Sequence, residues 1–343
     1  MSRRLDIAHG RVDMSHGAGG RAMAQLIAEV FAPALDNPLL RQGNDQAAFD
    51  VAAGTMVMST DGYVVSPLFF PGGDIGSLAV HGTINDLAMA GARPLHVSAS
   101  FFIEEGFALA DLARIARSMG DAARRAGVAV VTGDTKVVER GKADGVFICT
   151  SGIGVVPAGL RLSGDRARAG DVVLVSGTIG DHGVAVMSKR DNLEFETAIE
   201  SDSAALHELV AVMVDAAPQA LRLMRDPTRG GLAATLNEIA HQSGVGVLLR
   251  EASIPVLPQV AAACELLGLD PLNVANEGKL LAVVDAAQAD TVLAAMRAHP
   301  LGARAARIGE IVDDGRHFVQ MVTSFGGRRM VDWLAGEQLP RIC

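Results

Sequence analysis

The chain has 343 residues, more than one ordinary hydrophobic core holds, so two domains are expected. Hydrophobic residues make up 49% and charged residues 20%, the balance of a packed globular protein rather than a disordered one. A net charge of -9 with one Trp and one Tyr disfavours phosphate-backbone binding and base stacking, so nucleic acid is excluded as an expected partner.

The first twenty residues have no apolar core of the secretory-signal kind, and no apolar run approaches the ~18–20 residues of a membrane span. The three cysteines, Cys149, Cys264 and Cys343, are in no metal-ligand spacing. A soluble cytoplasmic protein without disulfides or membrane contact is the expectation.

Residues 1–40 read as a weakly folded Gly-rich segment with a short apolar helix over 21–31, followed by Pro33 and Pro38. From about residue 42 strands and helices alternate. A strand over 55–60 ends at Asp61-Gly62, and a helix over 75–90 closes at Gly91 with Pro94 beyond. A strand over 95–102, an amphipathic helix over 109–126 and β-branched strands over 128–131 and 146–156 complete the first series. The polar stretch 160–170 reads as a domain boundary. The second series has strands at 172–175, 245–249, 280–284, 306–312 and 318–322, with helices at 181–189, 204–216, 231–243, 258–267 and 286–298. The expected organisation is a Gly-rich segment 1–40, domains 41–160 and 170–325, and a mobile tail 326–343 with one helical turn around Trp333.

Residues 16–20 (HGAGG) precede a helix. Glycines there let backbone N–H groups approach an anion, although the P-loop spacing is absent and a plain linker reads equally well. Asp45, Asp61, Asp86 and Asp134 each stand beside Gly, Asn or Thr. Carboxylates converging on one cleft suit Mg²⁺, whereas a lone Asp-Gly is usually a turn. Asp86 differs, because it interrupts an apolar helix where a charge is costly unless paired or bound to a cation. Lys136 follows Asp134 by two, so both face one side of an extended segment, as a triphosphate site or as a surface ion pair.

Residues 226–232 (DPTRGGL) put Asp226, Thr228 and two glycines at a helix start, as a cap or as an anion contact. Glu277, in residues 276–279 (NEGK), could serve as a base or as a loop charge. The chain ends on a thiol, Cys343. Its α-carboxylate raises the thiol pKa and Arg341 lowers it again. Extended, residues 333–343 reach on the order of 35 Å, enough to swing between a cleft and solvent. A terminal Cys is a carrier or a frayed end; a prenylation box is excluded by its position.

Together residues 16–20, 59–62 (STDG), 85–92 (NDLAMAGA), 132–138 (TGDTKVV), 226–232, 276–280 and 340–343 (PRIC) resemble the HypE-type hydrogenase maturation factors, within the PurM-like (AIR synthase-related) ATP-dependent enzymes. The resemblance implies an α/β (α+β) two-domain PurM-like fold that dimerises through its N-terminal domain. It implies Mg²⁺ and ATP, and a carbamoyl group delivered to Cys343 by a HypF-type partner. Dehydration of that thiocarboxamide to a thiocyanate would supply cyanide to a HypC–HypD complex. By the same resemblance Cys343, Glu277 and Lys136 are catalytic, with Glu277 the proton acceptor and Lys136 on the γ-phosphate or the carboxamide. Gly17, Gly19, Gly20, Asp61, Asn85, Asp134, Asp226 and Thr228 would bind ATP, and Asp45, Asp61, Asp86 and Asp134 the metal. A kinase or synthetase for a free small molecule, and a non-catalytic nucleotide-binding scaffold, are the competing readings.

Overall fold

The computed structural model describes residues 4–17, 21–42, 54–193, 199–333 and 341–343. Asp45, Gly19 and Gly20 lie outside the described residues. The N-terminal apolar segment folds as α1 (Arg21–Leu26), a π-turn over Ile27–Phe31 and α2 (Ala32–Leu35).

Four strands, β1 (Thr55–Tyr63), β4 (Arg93–Glu104), β5 (Ala129–Val138) and β6 (Val146–Val156), form the first sheet in the order β1-β6-β4-β5. A small hairpin, β2 (Phe69–Phe70) and β3 (Gly73–Asp74), leads into α3 (Ile75–Met89). Asp74 caps α3 by accepting from the Gly76 and Ser77 amides at 2.8 and 3.1 Å, and Ser77 returns a bond to the Asp74 amide. α4 (Leu109–Arg125) is amphipathic and lays Leu112, Ile115 and Met119 into the core. α3 is buried almost all round, because the first sheet covers one side of it and the second domain the other.

The second sheet has seven strands in the order β13-β12-β9-β11-β7-β10-β8. These are β7 (Val172–Val175), β8 (Leu221–Arg225), β9 (Gly246–Arg250), β10 (Leu281–Val284), β11 (Ala306–Val312), β12 (Val319–Val322) and β13 (Arg328–Met330). β7 and β10 are buried on both faces. Helices α5 (Asp181–Arg190), α6 (His207–Ala216), α7 (Gly231–Ser243), α8 (Pro258–Leu267) and α9 (Ala289–Ala298) complete the domain.

The structure departs from the sequence reading in four places. Asp61 and Asp134 sit inside strands rather than in turns: Asp61 and Gly62 pair with Thr150 and Cys149, and Asp134 with Ser100. Ladder pairing overrides the local turn signal there. Asp226 does not cap α7; Gly230, at φ 76°, occupies that position without a side-chain bond. Arg328–Met330, read as tail, adds a strand to the second sheet; the helical turn expected around Trp333 runs into residues 334–340, outside the described residues. β8 was also missed, because LRLMR mixes arginines into a run too short to show a period.

The helices cover one face of the first sheet. The other face leaves Met56, Met58 and Phe102 50%, 71% and 41% exposed. Among the described residues, no helix is long and apolar enough to cross a membrane.

Candidate active site

The chain end is docked between the domains. The Val64 amide donates to an α-carboxylate oxygen of Cys343 at 3.0 Å and the Ser66 amide to the Arg341 carbonyl at 3.1 Å, as in a short β-pairing. From α5, His182 lies 2.9 Å from the Ile342 carbonyl and Arg190 donates to the Arg341 carbonyl at 2.8 Å. Ile342 is buried and Cys343 half-buried. This seating sets the thiol beside Glu277, whose charge acts on it.

Glu277 is 3% exposed, and its Oε1 has no hydrogen-bond partner. Burial, then the charges of Asp226, Asp202 and Asp61, push its carboxyl well above the usual glutamate range, with Arg229 pulling the other way. Burial first, and Glu277 second, also push the Cys343 thiol up. The cation that opposes the rise is Arg229, while Arg341 is ion-paired with Asp144.

The Glu277 backbone is fixed from three sides. Its amide donates to Asp202 Oδ1 at 2.9 Å, and Asp202 is ion-paired with Lys279 at 3.1 Å. Its carbonyl accepts from Asn85 Nδ2 at 3.2 Å. A Cβ at Gly278 would overlap the Asp202 carbonyl, so the turn after Glu277 admits only glycine at this packing distance. Asn85 also donates to the Ala204 carbonyl at 3.0 Å and accepts from the Leu206 amide at 2.8 Å. Asn85, expected at the nucleotide, ties α3 to the second domain and to Glu277.

Asp61, Asp86 and Asp226 come from β1, α3 and the turn after β8. Burial raises the Asp86 carboxyl despite a 2.5 Å hydrogen bond from Ser59, and Asp61 adds to the rise. Burial, then Asp86 and Asp61, push Asp226 up to about 7. Crowded carboxylates that raise one another suit a divalent cation. Among the described residues, however, no three His, Cys, Asp or Glu side chains form a ligand shell by themselves. The arrangement fits Mg²⁺ held partly by phosphate oxygens, its usual mode. Thr228 is half-buried in the same turn as Asp226.

Asp134 and Lys136 are elsewhere. They form an ion pair at 2.8 Å, about half exposed, which holds the Asp134 carboxyl below its usual range. Lys136 pairs with the exposed Phe102, so both lie on the open face of β5. Asp61 lies on the opposite edge strand and faces the helices with Ser59 and Tyr63. Three inter-strand steps separate the edges by ~14 Å, so Asp61 and Asp134 of one chain cannot share an ion. Gly17 packs on the same strand: a Cβ there would stand 2.7 Å from the Val137 amide nitrogen.

His182, Arg190, Asp202, Arg229 and Lys279 were not anticipated. Arg229 and Lys279 lie within the DPTRGGL and NEGK motifs, where no local signal marks their part. His182 and Asp202 acquire theirs only through packing with distant segments.

The AIR synthase related protein N-terminal domain matches residues 43–156 and the C-terminal domain 168–322. Carbamoyl dehydratase HypE of Rhizobium leguminosarum bv. viciae is 72% identical over 341 residues, covering 99% of this chain and 97% of that protein. A crystal structure of hydrogenase maturation protein HypE in complex with ATP is 49% identical, covers 96% of this chain and 99% of its own, and has a TM-score of 0.93. A chain of a HypE–HypF complex is 49% identical over 90% of this chain and 99% of its own, at TM-score 0.80. The chain belongs to the HypE family of the AIR synthase related proteins.

Proposed function

We propose that the protein is an ATP-dependent carbamoyl dehydratase acting on a carboxamide carried by its own Cys343. The observation that carries this reading is the placement of the terminal thiol against the buried, poorly solvated carboxyl of Glu277. The ATP complex of a close relative supports nucleotide use.

Expelling oxygen from an amide directly means losing hydroxide, a poor leaving group. The carboxamide oxygen takes the γ-phosphoryl group of ATP, giving ADP and an S-linked phosphoryl imidate, with one nitrogen proton released. Cleavage of the C–O bond then releases phosphate as the last nitrogen proton leaves, and the product is the thiocyanate. Glu277 is the proton acceptor: it is beside the sulfur, and its raised pKa makes its carboxylate a stronger base than an exposed one. Asp61, Asp86 and Asp226 would hold Mg²⁺, which would neutralise polyphosphate charge when bound. Thr228 and the glycines Gly17, Gly19 and Gly20 are assigned to the nucleotide.

We infer a homodimer in which the open sheet faces pair, covering Met56, Met58 and Phe102. Pairing would also carry the Asp134–Lys136 edge of one copy toward the Asp61 edge of the other, giving Lys136 a route to the γ-phosphate. The proposed partners are a HypF-type carbamoyl donor, on the likeness to the HypE–HypF complex, and a HypC–HypD acceptor in a cytoplasmic hydrogenase maturation route.

Cys343→Ala tests the reading. A self-substrate enzyme loses all product formation, whereas an enzyme for a free small molecule retains turnover.

A further inference from the structure

Beside the Arg341–Asp144 ion pair and the buried Ile342 side chain, the chain end is held by hydrogen bonds to its backbone. The Val64 and Ser66 amides read the Cys343 α-carboxylate and the Arg341 carbonyl on one side, at 3.0 and 3.1 Å. On the other side a single helix, α5, reads two consecutive carbonyls: His182 takes Ile342 and Arg190 takes Arg341. A carbonyl only accepts, so His182 Nε2 carries the proton and Nδ1 accepts from the Ser201 hydroxyl at 2.8 Å. Phe70 stands edge-on to the imidazole, 5.4 Å between ring centroids, and the ring is wholly buried. Arg190 bridges two chains of backbone, since its Nε donates to the Ser66 carbonyl at 2.8 Å while Nη2 holds Arg341. The sulfur takes no part in this grip.

From this arrangement we infer that His182 and Arg190 are positioning residues that clamp the tail backbone so that the Cys343 sulfur meets Glu277 in one register, whatever group the sulfur carries. The clamp rests on the proposed self-substrate reaction for its purpose but not for its existence. A grip on carbonyls, rather than on the thiol, lets the free, carbamoylated and dehydrated forms occupy the same seat. Partners that load or unload the thiol must therefore compete with these bonds.

The test reads access to the thiol in the full-length protein. Cys343 is alkylated with iodoacetamide and followed by mass spectrometry of the C-terminal peptide, with buried Cys264 as internal reference. Arg190→Met keeps the aliphatic stem and removes both bonds; His182→Gln keeps one donor on a similar reach. Loss of a hydrogen bond from a charged donor predicts about tenfold faster alkylation of Cys343 in Arg190→Met, with Cys264 unchanged. Arg190→Lys, able to restore one bond, should fall between, and His182→Gln should stay nearer to wild type than His182→Ala. An unchanged Cys343 rate in Arg190→Met overturns the clamp. So does a rise in which Cys264 follows Cys343 in both Arg190→Met and Arg190→Lys, which would mark Arg190 as a fold-stabilising residue only. Faster alkylation in a protein that proves unable to dehydrate a carboxamide would keep the clamp and refute the proposed reaction.

Discussion

The Cys343 thiol lies beside the Glu277 carboxyl inside a pocket that burial and neighbouring carboxylates make hostile to negative charge. On the proposed reaction, two acidic groups that both resist ionisation would keep the thiol quiet at rest and the acceptor basic for proton removal.

Glu277→Gln removes the acceptor and keeps the shape. Single-turnover conversion of thiocarboxamide to thiocyanate should fall by at least about a hundredfold, the usual worth of a positioned base. ATP affinity, measured by calorimetry, should change little.

The same step fixes a pH dependence. Glu277 acts only when ionised and its pKa is raised, so the rate should climb with pH above the ordinary glutamate range. Arg229 lowers that pKa, so Arg229→Ala should move the climb to higher pH; Asp202→Asn, removing a charge that raises it, should move it to lower pH. A profile unmoved by both variants would detach Glu277 from proton removal.

Asp226 carries a stability signature. Its carboxyl shifts from 3.8 to about 7 on folding, so the folded protein keeps a proton that the unfolded chain has lost. The associated stability is complete below the unfolded value and is lost as pH rises through the folded one. Without nucleotide or Mg²⁺, Asp226→Asn should therefore melt higher than wild type at about pH 8, with the gap closing toward acid. In the same protein Mg-ATP should bind more weakly, since the cation loses a carboxylate.

Asn85 makes three hydrogen bonds across the domain junction, two of them buried. Asn85→Ala should destabilise by about 2–4 kcal/mol in denaturant titration, because it strands buried backbone groups. Turnover should drop through misplacement of Glu277, with nucleotide affinity nearly intact. A selective loss of nucleotide affinity would return Asn85 to the role first read from its motif.

The sheet face bearing Met58 tests the assembly. Met58 is 71% exposed, and a charge there should repel an apolar partner. Met58→Glu should halve the mass seen by light scattering and abolish turnover if Lys136 acts across the pair. A wild-type monomer that is fully active would rule the pairing out.

Local signals carried much of the fold. The periodicity around Leu112, Ile115 and Met119 marked α4, and the β-branched run at Val172–Val175 marked β7. The Asp61 and Asp134 positions misled because Asp beside Gly or Thr looks like a turn, and only the partners Thr150 and Ser100 make it strand. Glu277 and Cys343 stood out as motif residues, yet nothing local revealed that they touch. Arg190, Asp202 and His182 were silent in the sequence, since each works on backbone groups tens to more than a hundred positions away.

The central claim is tested most directly by intact-mass and C-terminal-peptide mass spectrometry after incubation with carbamoyl phosphate, a HypF-type partner and Mg-ATP. The account predicts that the Cys343 peptide gains one carbamoyl group and then, only with ATP, loses one water, while Glu277→Gln stops at the carbamoyl stage. A carbamoylated Cys343 that never loses water in the wild-type protein, or loses it equally without ATP, would contradict it.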